Sequence, residues 1–251
     1  MSSLGAIIGA MERHGDIHRA KLSDNWMQGR TAYGGASSAL ALAATEAAFP
    51  DLPPLRTAQV AFVGPLGGEL KLRPTLLRQG RSASFVRVEV SSDEKLGLIA
   101  LLLFATERHS AIHIAPSTIV PPPRGETLQA PPQIAFVQNF EVRDAGTIDR
   151  GFVRWARMVG EDGLSPAVEL IAIGDILPPA ALVAAPGPGP ISTIAWQLDL
   201  LRPNPVSSDG WWLATAEAGH AENGLSAQSM TLHDSDGRLA AMASQQVALF
   251  L

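Results

Sequence analysis

The chain has 251 residues, 46% of them apolar and 17% charged. That balance excludes a disordered chain, and no apolar run reaches the roughly 20 residues a membrane helix needs. A net charge of −5, a pI near 5.7 and no basic stripe exclude a nucleic-acid footprint, and zero cysteines exclude disulfides, thiolate catalysis and sulfur-ligated metal.

The N-terminal stretch lacks a basic start and meets Glu12 and Arg13 too early for a signal peptide, so the expected compartment is the cytoplasm. His14 to Ser23 alternates loosely and reads as a first strand. Gly34 and Gly35 then open Ala36 to Phe49, a run of strong helix formers with almost no charge that stops before Pro50. So weakly polar a helix must be buried nearly all round. Four strands are expected next, at Leu55 to Val63, Glu69 to Gln79, Ser82 to Ser92 and Lys95 to Thr106, with turns at Gly64-Pro65, Gln79-Gly80 and Asp93-Glu94. Phe85 to Val90 alternates cleanly and should have one wet face, whereas Leu98 to Ala105 is apolar throughout and reads as buried on both faces.

Six prolines fall between Pro116 and Pro132 and mark an extended, polyproline-like connector. Beyond it the order repeats, with strands near Phe136 to Asp144 and Gly151 to Val159, a helix, and strands near Ile191 to Arg202, Gly210 to His220, Leu225 to His233 and Leu239 to Phe250. The second helix has Ser165 as N-cap, Pro166 at its first position and a stop at Pro178-Pro179. Matched segments stand 138 residues apart at Gln59 and Gln197 and 143 apart at Leu96 and Leu239. The expectation is therefore two fused units, residues 1–115 and 134–251, joined by a linker at 116–133, each a strand-helix-strands pattern.

A repeat makes polar residues that occur in one copy stand out. Asp175 ends the second apolar helix, and there it either lies buried, which requires a hydrogen bond or a shifted titration, or frays into solvent. Thr193 and Gln245 sit in apolar strands of the same unit, and by the offsets the first copy has Ser37, Leu55 and Leu102 in the matching places. Gln245 and Gln246 are adjacent and point to opposite faces, so one of them faces the helix. His14 and His18, and His109 and His113, have four-residue spacing but no carboxylate and third ligand in a metal pattern, and His14 and His18 are expected on the surface. No Gly-x-Ser-x-Gly elbow occurs. Trp196, Trp211 and Trp212 read as core or interface aromatics.

Trp26 to Gly35 (WMQGRTAYGG) opening a small-residue helix, Gly80 to Phe85 (GRSASF), and Gly174 to Pro179 (GDILPP) before Ser192 to Trp196 (STIAW) resemble the double hot-dog acyl-CoA thioesterases, the thioesterase II group and its relatives. The resemblance spans essentially the whole chain. It implies an α+β tandem hot-dog, with two antiparallel sheets each wrapped round one long helix and set side by side as a pseudo-dimer. It also implies hydrolysis of an acyl-CoA thioester to free acid and CoA, by a water that Asp175, Thr193 and Gln245 activate. The Gly34, Gly35 and Ala36 backbone N–H groups are expected to bind the substrate carbonyl; the alternative is a tight turn into the helix. No metal or organic cofactor is expected. The implied partners are acyl-CoA and further copies of the chain, as a homodimer or higher homo-oligomer, with no nucleic acid and no membrane. Arg30, Arg78, Arg81 and Arg202 are candidates for the phosphates of CoA. The rival reading is a non-catalytic acyl-thioester or lipid-binding module of the same fold.

Overall fold

The computed structural model describes residues 2–116, 118–129, 134–160 and 163–251. The first half opens with α1 (Leu4–Gly9), the hairpin β1 (Glu12–His14) and β2 (Ile17–Lys21), and the ribbon β3 (Met27–Gln28) and β4 (Thr31–Ala32). The helix α2 (Gly34–Ala48) follows, then β5 (Leu55–Phe62), β6 (Glu69–Gln79), β7 (Ala83–Ser92) and β8 (Lys95–Ala105). The second half contains β9 (Phe140–Ile148), β10 (Gly151–Met158), α3 (Pro166–Gly174), β11 (Ile191–Leu200), β12 (Trp212–Glu222), β13 (Leu225–His233) and β14 (Leu239–Leu249).

All strands except β3 and β4 join one antiparallel, 12-stranded sheet in the order β1-β2-β6-β7-β8-β5-β11-β14-β13-β12-β10-β9. The architecture is α+β, but the expected pair of sheets is one continuous sheet. Its seam is the β5–β11 ladder, where Gln59 lies opposite Gln197, Val60 opposite Trp196 and Ala58 opposite Leu198. Period-two alternation places Val60, Trp196, Ala58 and Leu198 on the buried face and the two glutamines on the outer one, where they hydrogen-bond at 3.4 Å.

The helices α2 and α3 pack against each other, α2 also lying over β6, β7 and β8 and α3 beside β10. Ala36 and Ala39 to Ala44 of α2 are buried, as its lack of charge predicts. Gly34 and Gly35 are required by close approach. A Cβ on Gly35 would come within 2.6 Å of the Ala172 carbonyl oxygen on α3 and of the Tyr33 ring. Tyr33 is itself buried, donates its hydroxyl to the same Ala172 oxygen at 2.7 Å and stacks on Phe136 at 4.1 Å. One residue thus ties the start of α2 to the body of α3 and to the second half.

The structure shifts several expected elements. His14 to Ser23 is not one strand, because Gly15 turns at φ +65 and breaks it into the β1–β2 hairpin. His14 is exposed, but His18 is buried at 3%, on the inner face beside Leu72. Phe136 lies in a single 3-10 turn, Ala135–Asn139, and β9 starts four residues later. Leu98 to Ala105 is fully buried on one face only, with Ile99, Leu101 and Leu103 half-buried on the other. The helix α3 has the expected Ser165 cap, whose hydroxyl accepts from the Val168 N–H, and Pro166 at its start. It stops at Gly174 after nine residues, because the chain must turn extended before Pro178. Trp196 and Trp212 are core residues, while Trp211 forms a small outer cluster with Trp155 and Leu213.

The described part of the connector lies along the second half. Gly125 N–H donates to Asp144 O and Leu128 N–H to Val142 O on β9, Ile119 N–H donates to Gly237 O, and Trp155 Nε1 donates to Pro122 O. Pro131 and Pro132 lie outside the described residues.

Candidate active site

Asp175 leaves α3 as its C-cap residue, half-buried where the N-terminus of α2 meets α3. Its Oδ2 sits against Gly34: a Cβ there would be 2.6 Å from that oxygen and 2.9 Å from Phe62 Cζ. Its Oδ1 accepts from Gln245 Nε2 at 2.5 Å. Burial raises the Asp175 carboxyl from 3.8 to about 7, against the opposing pull of the hydrogen bonds from Gln245 and the Gly35 backbone N–H. Tyr33 is the titratable neighbour, and burial together with the Asp175 charge pushes its hydroxyl well above the ordinary range, so it stays neutral. The result is a carboxylate poised to exchange a proton near neutrality.

Alternation resolves the glutamine doublet. Gln245 faces inward and is 4% exposed, while Gln246 points outward and is exposed. Gln245 lies between two inward neighbours across its ladders, Trp196 on β11 and Gln228 on β13. Trp196 packs its ring on Gly174, where a Cβ would come within 3.0 Å of Cζ2.

Thr193 is on the inner face too, since it pairs with inward-facing Val247, the next inward position on β14 after Gln245. A bulge between Thr193 and Ala195 sets this register and leaves Ile194 exposed. Thr193 is half-buried, and among the described residues no hydrogen bond joins it to Asp175 or Gln245. Asp175, Gln245 and Gly34-Gly35 are therefore in direct contact, and Thr193 stands one position away. At the start of α2 the Ser37 N–H is taken by the Tyr33 carbonyl and the Gly35 N–H faces Asp175, which leaves the Gly34 and Ala36 N–H groups of the first turn, among the described residues, without a backbone partner.

The matching place in the first half is different. The register equates Gln245 with Leu102 and Gln228 with Val86, which pair with each other on β8 and β7. Ser37 does not mirror Asp175, because its hydroxyl bonds back to Tyr33 and Gly34 in the first turn of α2. The carboxylate at the C-terminal end of α2 is Glu46, which accepts from the Ser165 hydroxyl at the start of α3 at 3.0 Å and is raised by burial. Each helix thus ends in a carboxylate that faces the N-terminus of the other, and only Asp175 has an amide chain behind it. Gln228 and Glu46 escaped the sequence reading. Gln228 sits in a stretch, Leu225 to Met230, whose polar residues fall on both faces, so alternation alone does not assign it inward.

Arg202 is committed elsewhere, donating to buried Asp234 at 2.5 Å in the turn between β13 and β14. Arg30, Arg78 and Arg81 are exposed. Among the described residues no cluster of His, Asp and Glu could hold a metal ion, and no helix is long and apolar enough to cross a membrane.

Residues 22–112 match the family model of the acyl-CoA thioesterase N-terminal domain and residues 116–249 that of the acyl-CoA thioesterase C-terminal domain. Among solved structures, a conserved hot-dog protein from Alicyclobacillus acidocaldarius superposes with a TM-score of 0.86 at 19% identity, covering 100% of this chain and 99% of the other. A Novosphingobium aromaticivorans protein described as a thioesterase superposes at 0.80 with 25% identity, over 96% and 98% of the two chains. An acyl-CoA thioesterase II from Mycobacterium marinum does so at 0.71 with 14% identity, over 98% and 97%. No curated protein matches the chain significantly. With two successive thioesterase domains spanning nearly all of it on a hot-dog framework, the chain belongs to the double hot-dog acyl-CoA thioesterase family and is a thioester hydrolase.

Proposed function

We propose that the protein hydrolyses an acyl-CoA thioester to free acid and CoA, with Asp175 as general base. The observation that carries this reading is a carboxylate raised to about 7, held by the Gln245 amide and set against the first turn of α2. Ionised Asp175 takes a proton from a water as the water oxygen attacks the thioester carbonyl carbon, a step worth about 10²–10⁴-fold. The carbonyl oxygen gains negative charge and is received by the free N–H groups of Gly34 and Ala36, where the helix dipole also favours an anion. The oxyanion then collapses, the C–S bond breaks, and the proton on Asp175 goes to the departing thiolate. Gln245 holds one Asp175 oxygen with one Nε2 hydrogen and keeps the second for the water. Thr193, on the same face at the next position, supplies a hydroxyl to the water or the substrate. The wedge between α2 and α3 belongs to both halves of the chain, so the fused arrangement is the working unit, and the cytoplasm is its place of action.

Purified protein assayed against acyl-CoA esters of graded chain length, with Asp175→Asn in parallel, tests the reading. Turnover by the parent protein that falls at least about 100-fold in the variant is expected. Saturable acyl-CoA binding without turnover by either protein would overturn it in favour of a binding module.

A further inference from the structure

Behind Gln245 stands a second buried amide that the reaction does not touch. Gln228 on β13 is 4% exposed and lies directly opposite Gln245. Its Oε1 accepts from the Ala180 backbone N–H at 2.7 Å, and its Nε2 donates to Gln245 Oε1 at 2.8 Å. Gln245 Nε2 then donates to Asp175 Oδ1.

The two ends of a carboxamide are chemically different, and this chain of contacts has one self-consistent direction. A backbone N–H can only donate, so Gln228 must turn its oxygen to Ala180 and its nitrogen to Gln245. Gln245 must then offer its oxygen to Gln228, which leaves its nitrogen for Asp175. The orientation of the amide beside the carboxylate is thus decided by a main-chain group two side chains away.

Packing does not require the pair. In the first half the equivalent positions, Val86 and Leu102, fill the same ladder with apolar side chains. Burying two amides is unfavourable unless they are hydrogen-bonded, and here each oxygen and each nitrogen has a partner, in an order that ends at Asp175. We propose that Gln228 is the positioning residue of the site, fixing the Gln245 amide so that its N–H groups, and not its oxygen, face Asp175. This rests on the reading of Asp175 as the base.

Two variants separate the role from general stability. Gln228→Leu leaves Gln245 free to rotate, so kcat should fall about 10- to 100-fold, the worth of a lost orienting hydrogen bond, with KM within about twofold. Gln228→Glu keeps the acceptor for Ala180 and, in its ionised form, offers a second oxygen to Gln245, which must then turn its nitrogen that way and its oxygen to Asp175. An oxygen facing the carboxylate disfavours its ionised form, so the acidic limb of the kcat profile should move up by about one pH unit or more. The groups acting on Asp175 in this experiment are Gln245, the Gly35 N–H, neutral Tyr33 and, in Gln228→Glu, the introduced carboxyl, whose charge moves the limb in the same direction, so uncharged Gln228→Leu is the control.

A readout independent of turnover is the pH dependence of urea stability, taken as the difference between each protein and its Asp175→Asn counterpart. In the Gln228→Leu and Gln228→Glu backgrounds that difference should still begin near pH 4 but keep growing to a higher pH than in wild type. Wild-type kcat and an unmoved titration in folded Gln228→Leu, which removes the orienting amide without adding a charge or a donor, would overturn the proposal. An inactive wild type whose Asp175 titration still moves in Gln228→Leu would instead refute the thioesterase mechanism while leaving the positioning role intact.

Discussion

Ionising Asp175 works against the fold, because the carboxyl binds its proton more tightly in the folded state, about 7, than in the unfolded chain, 3.8. That difference corresponds to about 4 kcal/mol. With the folded value raised, the stabilisation from this group is fully present below pH 4 and is lost progressively as pH rises to 7 and just beyond. An asparagine has no such titration. Replacing two acceptor oxygens by one also forfeits a hydrogen bond from Gln245 or Gly35, about 1–3 kcal/mol at every pH. That constant loss cancels when Asp175→Asn is compared with wild type at two pH values. Integrating the titration, the variant should gain about 2.5 kcal/mol on wild type between pH 5 and pH 8. For a chain of this size that is about 5–10 °C in relative Tm. Urea unfolding at both pH values gives the number directly. A relative stability independent of pH would mean that Asp175 ionises normally and that the argument for a poised base is wrong.

The acid limb of kcat/KM should report the same group, with an apparent midpoint near 7 and a tenfold loss per pH unit below it; a rate flat from pH 5 to 8 contradicts the assignment. Gly34→Ala puts a methyl 2.6 Å from Asp175 Oδ2 and 2.9 Å from the movable Phe62 ring, so turnover should fall at least about 10-fold in a protein that still folds. Gly35→Ala meets the Ala172 backbone oxygen at 2.6 Å and should lower the urea midpoint more than Gly34→Ala does. Buried His18, with neither ring nitrogen hydrogen-bonded, is lowered by burial and then by Arg13, so its contribution is present above 6.5 and lost as pH falls below it. His18→Leu should therefore flatten the loss of stability between pH 6.5 and 5, measured by urea unfolding. Ser165→Ala removes the α3 cap and the partner of Glu46 and should lower stability by about 1–2 kcal/mol without changing kcat.

Most elements were legible because their signals are local. Alternation delimits β7, an uncharged alanine run delimits α2, and Ser165-Pro166 marks where α3 starts. The misses are places where a contact distant in sequence decides. His18 alternates like a surface residue but lies over Leu72. The offset of 138 residues equates Asp175 with Ser37, because it assumes equal connections from helix to next strand, whereas residues 175–190 separate α3 from β11 and only residues 49–54 separate α2 from β5. Asp175 and Gln245 were findable as polar residues in apolar surroundings. Gln228 was not, since its inward direction depends on a register that no local pattern encodes. Pairing of β5 with β11, which turns two sheets into one, likewise depends on residues 138 apart.

Covalent joining of the two halves has a consequence for how such a protein can change. In an assembly of two identical chains, every substitution appears at both symmetry-related sites, so a residue that improves one must be tolerated by the other. Here Val86 and Leu102 differ freely from Gln228 and Gln245, and Glu46 from Asp175. One half has become an apolar buttress that lends its helix N-terminus, while the other carries the acid and its amides. Cutting the chain within 116–133 would leave fragments that each hold part of one site, and reassembly in solution would be their single route back to a complete one.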